Sequence, residues 1–254
     1  MLPLEWIFKK DFKMINKILI LFAFIIFLGC DKNALFDAGE STSKEIILPN
    51  RLLHIESQSI FDMVLVQDTI DKIIVICGSN LQKFVSVNVV GDTLYLSQNT
   101  KDNWSRSYHR ITLEYHTSHD FNVNVRAPIH LISDDTLRMN NFIYLDWTIL
   151  SEIDIKLNVG NCELVNSPGH FGTFKASGYC KSLYIWNRGS CTFITENLHS
   201  KSAIIDQQGQ SDIFVSASEQ LNVSLENTGN IFYSGSTPSI NIEKQISTGK
   251  LIKQ

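Results

Sequence analysis

Four glycines, Gly189, Gly209, Gly229 and Gly249, recur at intervals of 20 residues near the C-terminus, and the residues around them agree column by column. Six before the first three stand Leu183, Ala203 and Val223; four before stand Ile185, Ile205 and Leu225. Two after come Cys191, Ser211, Ile231 and Leu251, and four after come Phe193, Ile213 and Tyr233. Odd offsets are mostly polar, as in Ser190, Gln210, Asn230 and Lys250, one residue past each glycine. A two-residue alternation nested in a fixed period of this size describes strands with one apolar face, in a unit too small to bury that face alone. Stacking each unit on the next supplies the burial, so the pattern predicts an all-β solenoid with coils of about 20 residues. Glycine at the repeat corner is expected where the backbone takes a positive φ. Gly160-Asn161-Cys162 and Gly178-Tyr179-Cys180 extend the pattern upstream and would put Cys162, Cys180 and Cys191 in one inward column.

The first half of the chain is also strand-like. Met63-Val64-Leu65-Val66, Ile73-Ile74-Val75-Ile76, Val85 to Val89 and Thr93 to Ser97 are short β-branched or alternating segments, separated by turn chemistry such as Gly91-Asp92. The polar stretch Gln98 to Arg110 reads as a surface loop in which Trp104 is a candidate contact residue beside Tyr108. No amphipathic helix follows the N-terminal segment.

That segment sets the compartment. Every residue from Ile18 to Leu28 is apolar, and Lys9, Lys10, Lys13 and Lys17 precede the run. A basic region leading into a short apolar one is the layout of a secretory signal. The run is too short for a membrane span, which needs about 20 apolar residues. Phe27-Leu28-Gly29-Cys30 resembles the bacterial lipobox, with Phe27 in place of the usual Leu, Val or Ile. Residues 1–29 are therefore expected to be a signal peptide and Cys30 the lipid-bearing first residue of the mature chain. Met14 offers a second possible start. Residues 30–50, polar and poor in aromatics, read as a lipidated tether, and residues 51–254 as the folded domain. The expected location is the cell envelope, lipid-anchored at the outer membrane, facing the periplasm or the cell surface.

Composition excludes some partners. The chain carries a net charge of −4 and no basic cluster beyond the signal, so it lacks the Lys/Arg surface that neutralises phosphates in nucleic-acid binding. After Cys30, four cysteines remain, Cys77, Cys162, Cys180 and Cys191, without the CxxC spacing of a zinc or redox site. They read as small buried hydrophobes.

The search for chemistry yields little. His116-Thr117-Ser118-His119-Asp120 offers two imidazoles and a carboxylate, but neither a three-ligand catalytic metal set nor an HExxH helix, and reads as a turn. No nucleophile elbow, phosphate loop or dinucleotide fingerprint appears. The chain is thus expected to be no enzyme, with no cofactor, no metal and no catalytic residues. Asp206 and Glu226 stand three before successive repeat glycines, and Trp186 precedes them in the same column. In adjacent coils the two carboxylates would lie about 4.8 Å apart. Trp186, Asp206 and Glu226 form a speculative ligand-binding face, suited to a glycan, and the same acid pair is the basis of an alternative reading as a polysaccharide-binding or polysaccharide-cleaving β-helix. Two before the glycines stand Asn187, Gln207 and Asn227, a column of amides able to hydrogen-bond from rung to rung.

Two blocks resemble the GIN domain, the autotransporter adhesin head family of Bacteroidetes lipoproteins. The first runs from Ile60 to Gln67, with Lys72 to Val75 and Gly91 to Leu96; the second joins Leu221 to Leu225 with Thr228 to Pro238. The resemblance covers about residues 50–252. It implies a right-handed parallel β-helix and a non-enzymatic adhesion or binding scaffold, whose ligand would be a glycan or an envelope or host protein. The chain departs from the family's Gly-Ser-Gly corners, keeping one glycine in each, as in Gln208-Gly209-Gln210.

Overall fold

The computed structural model describes residues 38–49, 51–99, 110–236 and 238–254. The expected signal peptide, Cys30, and Trp104 and Tyr108 lie outside these residues. In chain order the strands are β1 (Ser41–Ile47), β2 (His54–Ser57), β3 (Phe61–Gln67), β4 (Lys72–Gly78), β5 (Val85–Val90) and β6 (Thr93–Gln98). Next come β7 (Thr112–Thr117), β8 (Phe121–Val125), β9 (Ile129–Ser133), β10 (Leu137–Asp146), β11 (Leu150–Asn166) and β12 (Phe171–Asn187). The last are β13 (Ser190–Gln207), β14 (Ile213–Leu225), β15 (Ile231–Ser234), β16 (Ser239–Gln245) and β17 (Leu251–Lys253). No α-helix occurs among the described residues.

The strands coil into a β-solenoid of about 7 turns. From β8 onward the pairings are parallel, as expected when each strand returns to its neighbour by a full circuit of the coil. Leu137 faces Leu157 and Phe193 faces Ile213, each 20 residues on. Gly91-Asp92 is short enough to join β5 and β6 only as an antiparallel hairpin, and β4 also runs antiparallel to both β1 and β7.

The period-2 alternation becomes the core. Ile55, Val123, Tyr144, Leu164, Ile185, Ile205 and Val223 stack coil on coil along one inward column. Met63, Leu131, Ile153, Phe174, Phe193, Ile213 and Ile231 form another, and all of these side chains are buried. Phe174 meets Tyr144 and Phe193 edge to face, with centroids 5.2 and 5.0 Å apart. Each such aliphatic or aromatic burial contributes about 1.5–3 kcal/mol, so the columns rather than local propensity hold the solenoid.

Three expectations change. First, β1 falls within the expected tether: Ser41 to Ile47 pair with Gly78 to Lys72 as an edge strand. It buries little, which is why its sequence, Ser-Thr-Ser-Lys-Glu-Ile-Ile, reads as polar linker. Second, Gly189, Gly209, Gly229 and Gly249 are not among the positive-φ glycines. They are small because coils approach closely there: a β-carbon at Gly189 would lie 2.6 Å from the His170 backbone N and O, and one at Gly209 would overlap the Gly189 carbonyl oxygen. Third, the cysteines do not share a column. Cys162 stacks on Phe142 and Leu183, Cys180 on Val159 and Ser200, and Cys191 on Gly172. The spacing from Gly160 to Gly178 to Gly189 is uneven, so a common Gly-x-Cys unit does not carry a common register. All four described cysteines are buried and unpaired.

An amide ladder does run through the interior, on a shifted set of residues. Asp146, Asn166, Asn187 and Gln207 are fully buried in successive coils, but Gln207 is followed by Leu225 and then Gln245, leaving Asn227 outside. Asn166 Nδ2 donates to Asn187 Oδ1 at 3.2 Å, and Gln207 Nε2 donates to Ser211 O at 2.7 Å. These amides offset the cost of their burial by saturating turn backbone.

Candidate ligand-binding face

The outward residues of β10 to β13 form three columns across four coils. The first is Asn141, Asn161, Ser182 and Ser202; the second Ile143, Glu163, Tyr184 and Ile204; the third Leu145, Val165, Trp186 and Asp206, with Val165 itself buried. The first two line a concavity of about 350 Å³. Asn161 Nδ2 donates to Asn141 Oδ1 at 2.7 Å, and the Ser202 and Ser182 hydroxyls are 3.4 Å apart, so one wall is a hydrogen-bonded polar ladder. The floor mixes aliphatic and aromatic groups with one acid.

Trp186 and Asp206 are neighbours, as the repeat implies. Tyr184 donates its hydroxyl to Asp206 Oδ2 at 2.8 Å, and the Arg188 guanidinium sits 4.5 Å from the centre of the Trp186 ring. Burial, then the bond to Asp206, pushes the Tyr184 phenol well above its ordinary range, so it remains a donor.

Glu226 is not in that column. Asp206 faces Ser224, and Ser224 faces Lys244. The register shifts between Thr195 and His199 and again between Ser200 and Ser202, which moves the following coil by two residues relative to the glycines. Glu226 instead takes Lys244 Nζ at 2.6 Å and Gln208 Nε2 at 3.3 Å, and the lysine holds its carboxyl below the usual range. The expected pair of close carboxylates is absent from this face.

Tyr184, Arg188 and Glu163 were missed by sequence reasoning. Tyr184 and Glu163 do stand at outward positions of their alternations, but their columns follow spacings of 21 and 20 residues that only the register reveals. The Glu163 carboxyl makes no hydrogen bond or ion pair among the described residues, and burial raises it above the ordinary value. The two histidines lie elsewhere, at the solenoid's N-terminal end. His116 Nδ1 is 3.0 Å from Asp68 Oδ2, and His119 Nε2 is 3.6 Å from Asp71 Oδ2. Among the described residues no group of three or more His, Cys, Asp or Glu side chains is placed to hold a metal.

Against this geometry, the family described as "Putative auto-transporter adhesin, head GIN domain" matches residues 53–237. The chain belongs to this family. Solved structures similar to this GIN-domain chain include a "putative adhesin" from Bacteroides fragilis, 15% identical, with a TM-score of 0.74 over 86% of this chain and 100% of that one. A second "putative adhesin", from Parabacteroides distasonis, is 15% identical, with a TM-score of 0.60 over 86% of this chain and 99% of that one. A "putative lipid binding protein" from the same species is 16% identical, with a TM-score of 0.52 over 86% and 99%. At these identities the likeness is one of fold. No curated protein matches the chain.

Proposed function

We propose that this GIN-domain chain is a lipid-anchored protein of the outer membrane, a rigid, non-enzymatic adhesion scaffold whose β10–β13 face binds a glycan or a protein of the envelope or host. The observation that carries the reading is the concavity over Glu163 and Tyr184. There a hydrogen-bonded wall of amides and hydroxyls flanks an aromatic and aliphatic floor, a composition that supports binding of a partly polar ligand. The adhesin description of the family and of its structural neighbours points the same way. Trp186 and Asp206 extend the face; Glu226, paired with Lys244, lies at its margin. The polysaccharide-cleaving alternative loses its main support, because Asp206 and Glu226 do not stand side by side.

Anchoring at Cys30 rests on the sequence. Each buried acyl methylene contributes about 0.8 kcal/mol, so two or three chains would anchor the protein stably where a single chain would not. Among the described residues no helix is long and apolar enough to cross a membrane.

Two measurements test the reading. The full chain is screened against glycan and protein arrays with product release followed in the same wells. Binding without turnover, weakened by Tyr184→Ala and Asp206→Ala, is the expected result, and release of cleaved sugar would overturn it. Cys30→Ser should abolish labelling by radioactive palmitate and block lipoprotein processing; a mutant that still matured and stayed membrane-bound would rule out the anchor.

A further inference from the structure

At one corner of the solenoid four large apolar side chains stand in solvent: Trp147 is 39% exposed, Ile149 71%, Leu150 50% and Phe171 58%. They belong to stacked turns. Leu150 faces Phe171 across the β11–β12 ladder, and the Phe171 amide donates to Ile149 O at 2.7 Å. Isolated exposed apolar residues need no explanation, but a contiguous group of this size marks an interaction surface.

The backbone beneath the group is held from inside. Asp146 Oδ1 accepts from the Thr148 amide at 2.8 Å, and Tyr144 donates its hydroxyl to Asp146 Oδ2 at 2.8 Å. Thr148 O lies 3.0 Å from His170 Nδ1 and accepts from the Ser167 hydroxyl at 2.6 Å; Thr148 Oγ1 lies 3.1 Å from Ser151 Oγ. Tyr144, Asp146 and His170 are fully buried. Placing a carboxylate and an imidazole in a solenoid core is costly, and here they fix the turn that carries Trp147, Ile149 and Leu150 outward while Thr148 points in. A rigid base under exposed apolar groups is how a binding surface is preorganised.

Charge and shape identify the occupant. The turns at 126–128, 147–150, 167–171 and 188–190 contain no Asp or Glu and carry Arg126 and Arg188, in a chain whose net charge is −4. The Arg126 guanidinium lies 5.7 Å from the centre of the Trp147 ring. The side chains project from stacked turns at a corner instead of lining a groove. Tryptophan beside arginine, with aliphatic and phenyl groups projecting past them, matches the headgroup boundary of an anionic bilayer.

We propose that this corner docks on an anionic membrane surface, with Ile149, Leu150 and Phe171 entering the boundary between headgroups and acyl chains and Arg126 and Arg188 meeting lipid phosphates. The contact adjoins the candidate ligand-binding face through Arg188, whose guanidinium stacks on Trp186, but its apolar residues Ile149, Leu150 and Phe171 lie outside that face. It fixes how the solenoid lies on the membrane, which acyl chains on Cys30 alone do not.

The test carries the full chain in vesicles of phosphatidylglycerol and phosphatidylcholine, brominated near the headgroup end of the acyl chains, and reads tryptophan quenching. Trp147→Phe should remove the major quenched component, and Trp186→Phe should leave it. The double variant I149S/F171S should reduce the docked population by about tenfold or more, the equivalent of losing two buried apolar side chains. R126Q/R188Q should weaken quenching in phosphatidylglycerol vesicles and leave vesicles of phosphatidylcholine alone unaffected. Quenching that does not depend on Trp147 would overturn the proposal, as would a corner protected by a bound protein and not by lipid. Since Trp147→Phe leaves the turn's backbone network in place, the result stands even if the double variant folds poorly. An unaltered chain that binds its ligand but shows no quenching on these vesicles would sink this inference and leave the scaffold reading standing.

Discussion

Gly209 packs against the carbonyl oxygen of Gly189 one coil away, so closely that a β-carbon there would overlap it, although neither glycine has a positive φ. Space, and not backbone freedom, selects glycine at this corner. Gly91 is the opposite case, with φ +63 and nothing within 4 Å of where a β-carbon would stand. Gly209→Ala and Gly209→Asn are therefore both expected to cost about 1–3 kcal/mol through overpacking, while Gly91→Asn, a residue that tolerates the left-handed region, stays within about 0.5 kcal/mol. Denaturant titration of the three variants decides; a silent Gly209→Ala would show that the coils can separate there at no cost.

Gln207 is fully buried, yet Leu225 occupies the same column in the next coil. Gln207→Leu should nonetheless destabilise, because Gln207 Oε1 accepts from the Gly209 amide at 3.1 Å and its Nε2 donates to Ser211 O. Leaving the buried Gly209 amide unsatisfied costs about 1–3 kcal/mol, and Ser211 O keeps only the longer bond from Asn187 Nδ2 at 3.5 Å. Exposed Gln210→Ala should be nearly neutral. Equal thermal midpoints for the two variants would remove the amide column from the account of stability.

Acid should unfold the protein partly through Asp68 and Asp120. The hydrogen bond with His116 holds the Asp68 carboxyl below its ordinary 3.8. Burial pushes Asp120 upward, but bonds from the Asn140 amide at 2.7 Å and Asn141 Nδ2 at 2.9 Å outweigh it and leave it lowered. A folded-state pKa below the unfolded one means that the ionised group stabilises above about pH 4, and that this stability disappears as pH falls through the folded pKa. Asp68→Asn and Asp120→Asn should each flatten the acid limb of stability against pH; an unchanged slope in both would contradict the assignment.

Burial pushes the Cys180 thiol up to about 12 and raises Cys77 and Cys162 as well. None of the described cysteines should react with a thiol reagent in the native protein at mildly alkaline pH, and Cys77, Cys162, Cys180 and Cys191 should all react after denaturation. Fewer thiols in the unfolded chain would reveal a disulfide. Cys162→Ala should cost about 1 kcal/mol, a packing loss alone.

Much of the solenoid is legible in the residues themselves. Leu183, Ile185 and Asn187 alternate with Ser182, Tyr184 and Trp186, and the structure turns the first set inward and the second outward. The reason is local: successive strand residues must point to opposite faces, and a 20-residue unit has no other way to bury its apolar set than to stack. Trp186 beside Asp206 follows from the same logic.

What the sequence could not determine is register between coils. The unpaired residues around Glu196 and Asn197 absorb chain length without changing the pattern of polar and apolar residues, so Asp206 meets Ser224 while Glu226 turns away to Lys244. The buried Asp146 and His170 and the exposed Ile149 and Phe171 also invert the ordinary reading of their residue types. Alternation along one strand specifies which side faces in; which residues of other coils lie opposite, and which corner stands clear of every neighbour, depends on bulges and close approaches that exist only once the coils are stacked.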